Sequence, residues 1–164
     1  MLERTPEILR LWLQGLHDDW IYNDEGGESW SPYDVVGHLI HGEKTDWIQR
    51  LDIILGDQEN KTFTPFDRFA QFEESEGKTL DNLLDEFASL RSANLEVLRS
   101  LNITEDQFSL TATHPSLGVV TLSELLATWV THDLSHLGQI ARVMAKQHKD
   151  QVGPWVQYIG ILNR

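Results

Sequence analysis

The 164-residue chain contains no cysteine. That absence excludes a disulfide framework, a thiolate-based zinc site and a cysteine nucleophile. Long apolar runs are also missing, and no stretch approaches the ~20 residues that cross a bilayer. The opening Met1-Leu2-Glu3-Arg4-Thr5-Pro6 lacks the charged-then-apolar layout of a secretory leader, so a cytoplasmic protein is expected. The Asn102-Ile103-Thr104 sequon would matter only in a secreted protein and is set aside. Basic residues are scarce, 13 against 26 acidic ones, for a formal charge of −13. Without a Lys/Arg cluster, such a surface repels nucleic acid and anionic membranes. The surplus of carboxylates reads as a solubility feature.

Sustained alternation of apolar and polar residues is absent too, which predicts an essentially all-α fold. One domain spanning 1–164 is expected, long enough to bury its own core. Glycine and proline divide the chain into four long helical candidates. The first covers about 5–22, with Thr5 as N-cap, Pro6 at the first helical position and Leu9, Leu13, Leu16 and Trp20 on one face. The second opens at Ser31-Pro32 with Asp34 completing a capping box, and runs to Gly56. A polar connection, 57–78, holds the aromatic-rich Pro65–Phe72 stretch, expected to pack on the bundle as a short helix. The third helix covers about 79–101, and 102–120 is an irregular connection. The fourth opens with the Thr121–Glu124 capping box and ends near His148. After Gly153-Pro154, residues 155–162 form a further short helical candidate. The whole reads as a four-helix bundle with short extra helices in the connections.

Two of the seven histidines, His132 and His136, stand four apart within the fourth helix. At ~100° per residue they diverge by only ~40°, a spacing that lets two imidazoles hold one metal ion. Their alignment with Leu125, Trp129, Ile140 and Val143 predicts that both point inward. Inward imidazoles need satisfaction, by a metal or by hydrogen bonds, and spacing alone leaves both open. In the second helix His38 and His41 share a row with Asp34 and Thr45 that turns apolar at Ile48 and Leu55, the pattern of a pocket at the polar end. Gly37 and Gly138, each mid-helix beside a candidate ligand, suggest close helix approach at a cost of ~1 kcal/mol each relative to alanine. Packing without any metal is the competing reading. His17 is expected to be half-exposed and His148 to suit a helix C-terminus. His114 reads as a solvated turn residue, or one at the pocket mouth.

The segments Trp30-Ser31-Pro32-Tyr33-Asp34-Val35-Val36-Gly37-His38-Leu39 and Thr131-His132-Asp133-Leu134-Ser135-His136-Leu137-Gly138-Gln139-Ile140, with the Val152–Trp155 tail, resemble the DinB-like (DNA-damage-inducible) superfamily. The resemblance implies an up-down-down-up four-helix bundle, often a homodimer, holding a divalent metal through His38, His132 and His136. His41 matches no ligand position and is left as a pocket neighbour. The family name refers to induction by DNA damage and implies no DNA contact. Some relatives are thiol-dependent enzymes, among them mycothiol-dependent maleylpyruvate isomerase and bacillithiol transferase.

Three neutral imidazoles leave an open position on a dipositive metal that can activate a thiol or water, or polarise a carbonyl. Lacking cysteine, the chain must receive any thiolate as substrate. The leading expectation is therefore a metal-dependent transferase joining a low-molecular-weight thiol to an electrophilic small molecule. The alternatives are hydrolysis by a metal-activated water, or a non-catalytic bundle with a structural metal or hydrogen-bonded histidines. Imidazole suits zinc, nickel, copper and iron alike, manganese is a further option, and zinc is the default. Helical spacing makes Asp34, Thr128 and Gln139 candidates for orienting the imidazoles.

Overall fold

A computed structural model describes residues 1–163. Helix α1 (Thr5–Leu13) ends where Gly15 takes a φ of +78°, in the left-handed region that favours glycine. The chain then re-enters a helix as α2 (Asp18–Tyr22), capped by exposed His17, whose Nδ1 accepts the Asp19 amide. The expected helix over 5–22 is thus two. Thr5 is not its cap: Arg4 holds that position, and the Thr5 hydroxyl donates to Asp133 Oδ2 at 2.6 Å in the interior. The Ser31–Asp34 capping box starts α3 (Pro32–Thr45), which is buried on all sides from Val35 to Glu43. The second helix also divides, at Asp46 (φ −117°, ψ −69°), before α4 (Trp47–Leu55). Thr45 Oγ1 donates to His41 O at 2.8 Å just before the break, and such back-bonding bends helices.

In the following connection only α5 (Ala70–Ser75) is helical, later than the aromatic stretch predicts. Of those aromatics Phe66 packs on the bundle, against His38 and His41, while Phe69 and Phe72 stay exposed. Helix α6 (Leu80–Ser100) starts at a Thr79–Asn82 capping box. The connection after it holds a hairpin of β1 (Thr111–His114) and β2 (Gly118–Thr121) pairing Thr111 with Thr121 and His114 with Gly118, with Thr62 bridged to Thr113 beside it. Four-residue strands are too short to display a period, though their β-branched content favours extension. Helix α7 (Leu122–Lys146) begins at the Thr121–Glu124 capping box, and the tail forms two 3₁₀ turns, Gly153–Tyr158 and Gly160–Asn163, rather than an α-helix. None of the described helices is long and apolar enough to cross a membrane.

Side-chain pairs fix the helix directions. Gln14 meets Asp81, Arg10 meets Asp85 and Glu3 meets Arg99, so α1 and α6 are antiparallel. Tyr33 bonds Lys78 O while Lys44 and Glu43 reach Glu86, Arg91 and Asn94, so α3 runs parallel to α6. His38 meets His132 and Glu43 meets Trp129, so α7 opposes α3. The order is up-down-down-up, a four-helix bundle. Two parallel neighbours in sequence need a connection that returns the length of the bundle, and α5 lies on that return. Gly37 lets it approach: a Cβ there would stand 2.5 Å from Ser75 Oγ. Gly138 faces open space, so close packing does not explain it.

At the centre lies a charged cluster. Arg91, 1% exposed, donates to Asp133 Oδ2 and Oδ1 at 2.6 and 2.9 Å, to Glu43 Oε1 at 2.9 Å and to Leu2 O at 2.9 Å. Trp129 Nε1 and Asn94 Nδ2 donate to the same Glu43 carboxylate. Burial works to lower the Arg91 pKa, but its bonds to Asp133 and Glu43 outweigh this and hold it above the ordinary value. Replacing Arg91 with Met would leave two buried carboxylates without their cation. Urea denaturation should show Arg91→Met destabilised by about 3–5 kcal/mol; a loss under 1 kcal/mol would contradict this account of the core.

Candidate metal centre

Helix α7 presents two adjacent rows. Leu122, Leu125, Trp129, Asp133, Leu137, Ile140 and Val143 are buried and form the core face. His132 and His136 are partly buried on its flank, toward a cavity, rather than on the core stripe itself. His38, on α3, meets them there.

The Nε2 atom of His132 lies 3.1 Å from Nε2 of both His38 and His136. Among the described residues this is the group of potential ligand atoms, all within 4.8 Å of one another, that could hold an ion. Tetrahedral bonds of ~2.0–2.1 Å would separate such nitrogens by ~3.3 Å, close to the 3.1 Å found for the two pairs that include His132. The His136 tautomer also fits. Its Nδ1–H donates to Gln139 Oε1 at 2.9 Å, which turns the Nε2 lone pair toward the other two rings. Converging lone pairs at this distance repel unless a proton or a cation lies between them. One proton could serve the three only as a shared, bent bond, whereas a divalent cation satisfies each directly. The donor set therefore fits a metal.

Burial pushes the His38 imidazole down to about 3, helped by the nearby His136 and His132. His132 is lowered to about 4, again mainly by burial and then by His136. Burial lowers His136 as well, with the Gln139 bond opposing it. Neutral imidazole is the form that ligates.

The cavity above the cluster has a volume of about 500 Å³ and is open to solvent on one side. Trp30, Trp47 and Phe66 supply its apolar wall. Trp30 lies 4.8 Å from His38 between ring centroids and stacks over His136 at 6.4 Å; Trp47 meets His132 edge-on at 5.3 Å. Of the residues expected around the site, Gln139 contacts a histidine directly and Thr128 lines the cavity. Asp34 instead serves the cap of α3, accepting from Ser31 N and Oγ at 2.9 and 2.7 Å. His41 is buried beside Phe66 and turns to Glu74, its Nδ1 2.8 Å from Oε1. His114 reaches the cavity rim from the hairpin, its Nδ1 accepting the Ser116 and Leu117 amides.

Several contributors escaped the sequence reading. Asp46, at the α3–α4 break, lines the cavity; burial lifts its pKa to about 6 against the opposing pull of Arg50. Arg50, Arg68 and Arg142 line it too. Beneath the floor, Glu43, Asp133 and Arg91 interrupt otherwise apolar rows (Val35-Leu39-Glu43, Trp129-Asp133-Leu137 and Phe87-Arg91-Leu95). Charges at core positions of three helices were a readable sign of a buried ion cluster.

The family model of the DinB superfamily matches residues 1–140. A solved structure is similar over 93% of this chain and 83% of its own, with a TM-score of 0.72 and 21% sequence identity. It is described as YfiT from Bacillus subtilis, a probable metal-dependent hydrolase with an unusual four-helix bundle topology. At that identity the likeness shows the fold. No curated protein matches the sequence.

The depressed histidine pKa values set a pH dependence. In the folded state these rings stay neutral well below 6.5, so the unfolded chain binds more protons once the pH falls under that value. Their contribution to stability is complete above about 6.5 and is lost as the pH falls toward 4 and 3. Asp46 acts oppositely, within the narrower window from 3.8 to about 6. The metal-free protein should therefore unfold at lower urea at pH 5 than at pH 7. A His38→Asn/His132→Asn double variant should show a shallower dependence; an equal slope in both proteins would refute the assignment.

Proposed function

We infer that this chain, which belongs to the DinB superfamily, is a metal-dependent enzyme that joins a small thiol to an electrophilic substrate. The observation that carries the inference is the convergence of three neutral imidazoles at the floor of an aromatic-walled cavity of about 500 Å³. His38, His132 and His136 would hold the ion, with Gln139 fixing the His136 tautomer. A divalent ion so held supplies a dipositive charge that favours the thiolate over the thiol. Zinc is the default occupant of such a site.

The chain's own residues do the rest. Trp30, Trp47 and Phe66 exclude water from one side of the cavity, where a desolvated thiolate is a stronger nucleophile and an apolar electrophile is well accommodated. Asp46, whose burial places its pKa near 6, is a carboxyl group on the cavity wall able to exchange a proton near neutrality. In the transfer itself, sulfur forms a bond to the electrophilic carbon, the leaving group departs with the electron pair, and the thiol proton passes to solvent or to a carboxylate. The absence of cysteine is consistent with a thiol that arrives from outside.

Hydrolysis is the second reading, favoured by the fold shared with a protein described as a probable metal-dependent hydrolase. One experiment separates the two. Zinc-loaded protein is offered an aryl chloride and an activated ester, each with and without 2-mercaptoethanol. Turnover of the chloride that requires thiol and stops on chelation supports transfer; ester turnover indifferent to thiol assigns water as the nucleophile. Elemental analysis should also show that His132→Ala has lost most of its bound metal, and an undiminished metal content would remove the basis of both readings.

A further inference from the structure

The cavity over the histidines carries charge of the sign that is in the minority in this chain. Against an overall −13, three arginines, Arg50, Arg68 and Arg142, line it beside two carboxylates, Glu28 and Asp46. Two of the arginines are already matched. Arg50 Nε donates to Asp46 Oδ1 at 2.6 Å, and Arg142 grips Glu25 through Nε and Nη2 at 2.7 and 3.0 Å. Arg68 is different. Among the described residues, no carboxylate oxygen lies within 4.0 Å of it.

Aromatic rings hold Arg68 instead. Its guanidinium carbon stands 5.5 Å from the Trp30 ring centroid and 5.3 Å from that of Phe69. Packing against a ring orients a guanidinium while leaving its in-plane N–H donors available. Trp30 is also the immediate neighbour of His38 and His136, so one indole links the free cation to the candidate metal centre. A planar fork of donors suits a carboxylate or a similar oxyanion, which it can hold through two bonds at once. The overall negative charge of the chain discourages anions, so an anionic ligand needs a local cation of this kind to be retained.

We propose that the ligand of this cavity carries a carboxylate, or a comparable anionic group, which Arg68 receives while the reactive end faces His38, His132 and His136. The proposal rests on the reading of the cavity as a substrate site and names the class of substrate. Either partner in the transfer, the thiol or the electrophile, could bring the anion.

The test uses the full chain. Succinate and its uncharged counterpart succinamide are titrated into isotopically labelled, metal-free protein while the Trp30 indole N–H resonance is followed. Succinate should shift it and bind about tenfold tighter than succinamide, as a charge-assisted bidentate pair implies. Arg68→Ala should abolish that preference, and Arg68→Lys should restore only part of it, since lysine lacks the fork. Equal binding of the two ligands, or a preference that survives in Arg68→Ala, overturns the proposal. With zinc added, mercaptosuccinate is compared with 2-mercaptoethanol. A preference lost in Arg68→Ala assigns the anion to the thiol; equal affinities beside an intact succinate preference assign it to the electrophile. Failure of zinc or of both thiols to bind counts against the enzyme reading above, and the succinate comparison then decides this proposal alone.

Discussion

Arg91 brings a full positive charge into the centre of the bundle, and the arrangement of the helices around it follows from the need to satisfy that charge. Its partners come from four helices or their approaches: the carbonyl of Leu2 just before α1, Glu43 of α3, Asp133 of α7, and Asn94 of its own α6, through Glu43. Desolvation makes such a cluster a poor source of net stability compared with well-packed apolar groups. Its bonds are directional, however, and sliding α3 against α7 by one turn would part Arg91 from Glu43 or from Asp133 and leave that carboxylate buried without a cation. The register this imposes sets His38 opposite His132. Trp129 extends the constraint: its indole donates to Glu43 and its face stacks on Trp47 at 5.5 Å, which in turn meets His132.

The candidate centre is thus built on the edge of a rigid core. Helix α7 uses one row of residues to bury the ion cluster and the neighbouring row to present histidines, a division that 3.6 residues per turn allows. Neutral imidazoles, an aromatic wall and three arginines line this cavity, and with Arg50 and Arg142 paired to carboxylates Arg68 is its unmatched cation. Gln139 selects a tautomer for His136, whereas the Nδ1 atoms of His38 and His132 are buried without a partner. Those two orphaned atoms mark the least satisfied part of the site.

Most of the helical framework was legible in the residues. Capping boxes at Ser31 and Thr121 are local signals whose chemistry acts within four residues, and each lies where a helix begins, whereas the Thr79–Asn82 box was found only in the structure. The interruptions at Gly15 and Asp46 were harder to see, since apolar periodicity continues across both. The hairpin was hidden because four-residue strands carry no period. At the site, His38, His132 and His136 could be singled out from spacing and resemblance, and Gln139 from helical geometry. Asp34 and His41 share His38's row, yet one is occupied by the cap of α3 and the other by Glu74 from α5. That second contact spans 33 positions in sequence, and no local pattern contains it.

By itself, then, the sequence determined that the chain has no thiol of its own, that it folds as a helical bundle, and which histidines could share a face. Those properties depend on residue type and on short-range geometry. Only the tertiary structure decided that His38 and His136 each come within 3.1 Å of His132, that the Arg91 ion cluster underlies them, and that Arg68 stands unmatched at the cavity rim. Each of these joins elements distant in the chain. The side chains meet only after the core has fixed how α3, α6 and α7 lie against one another.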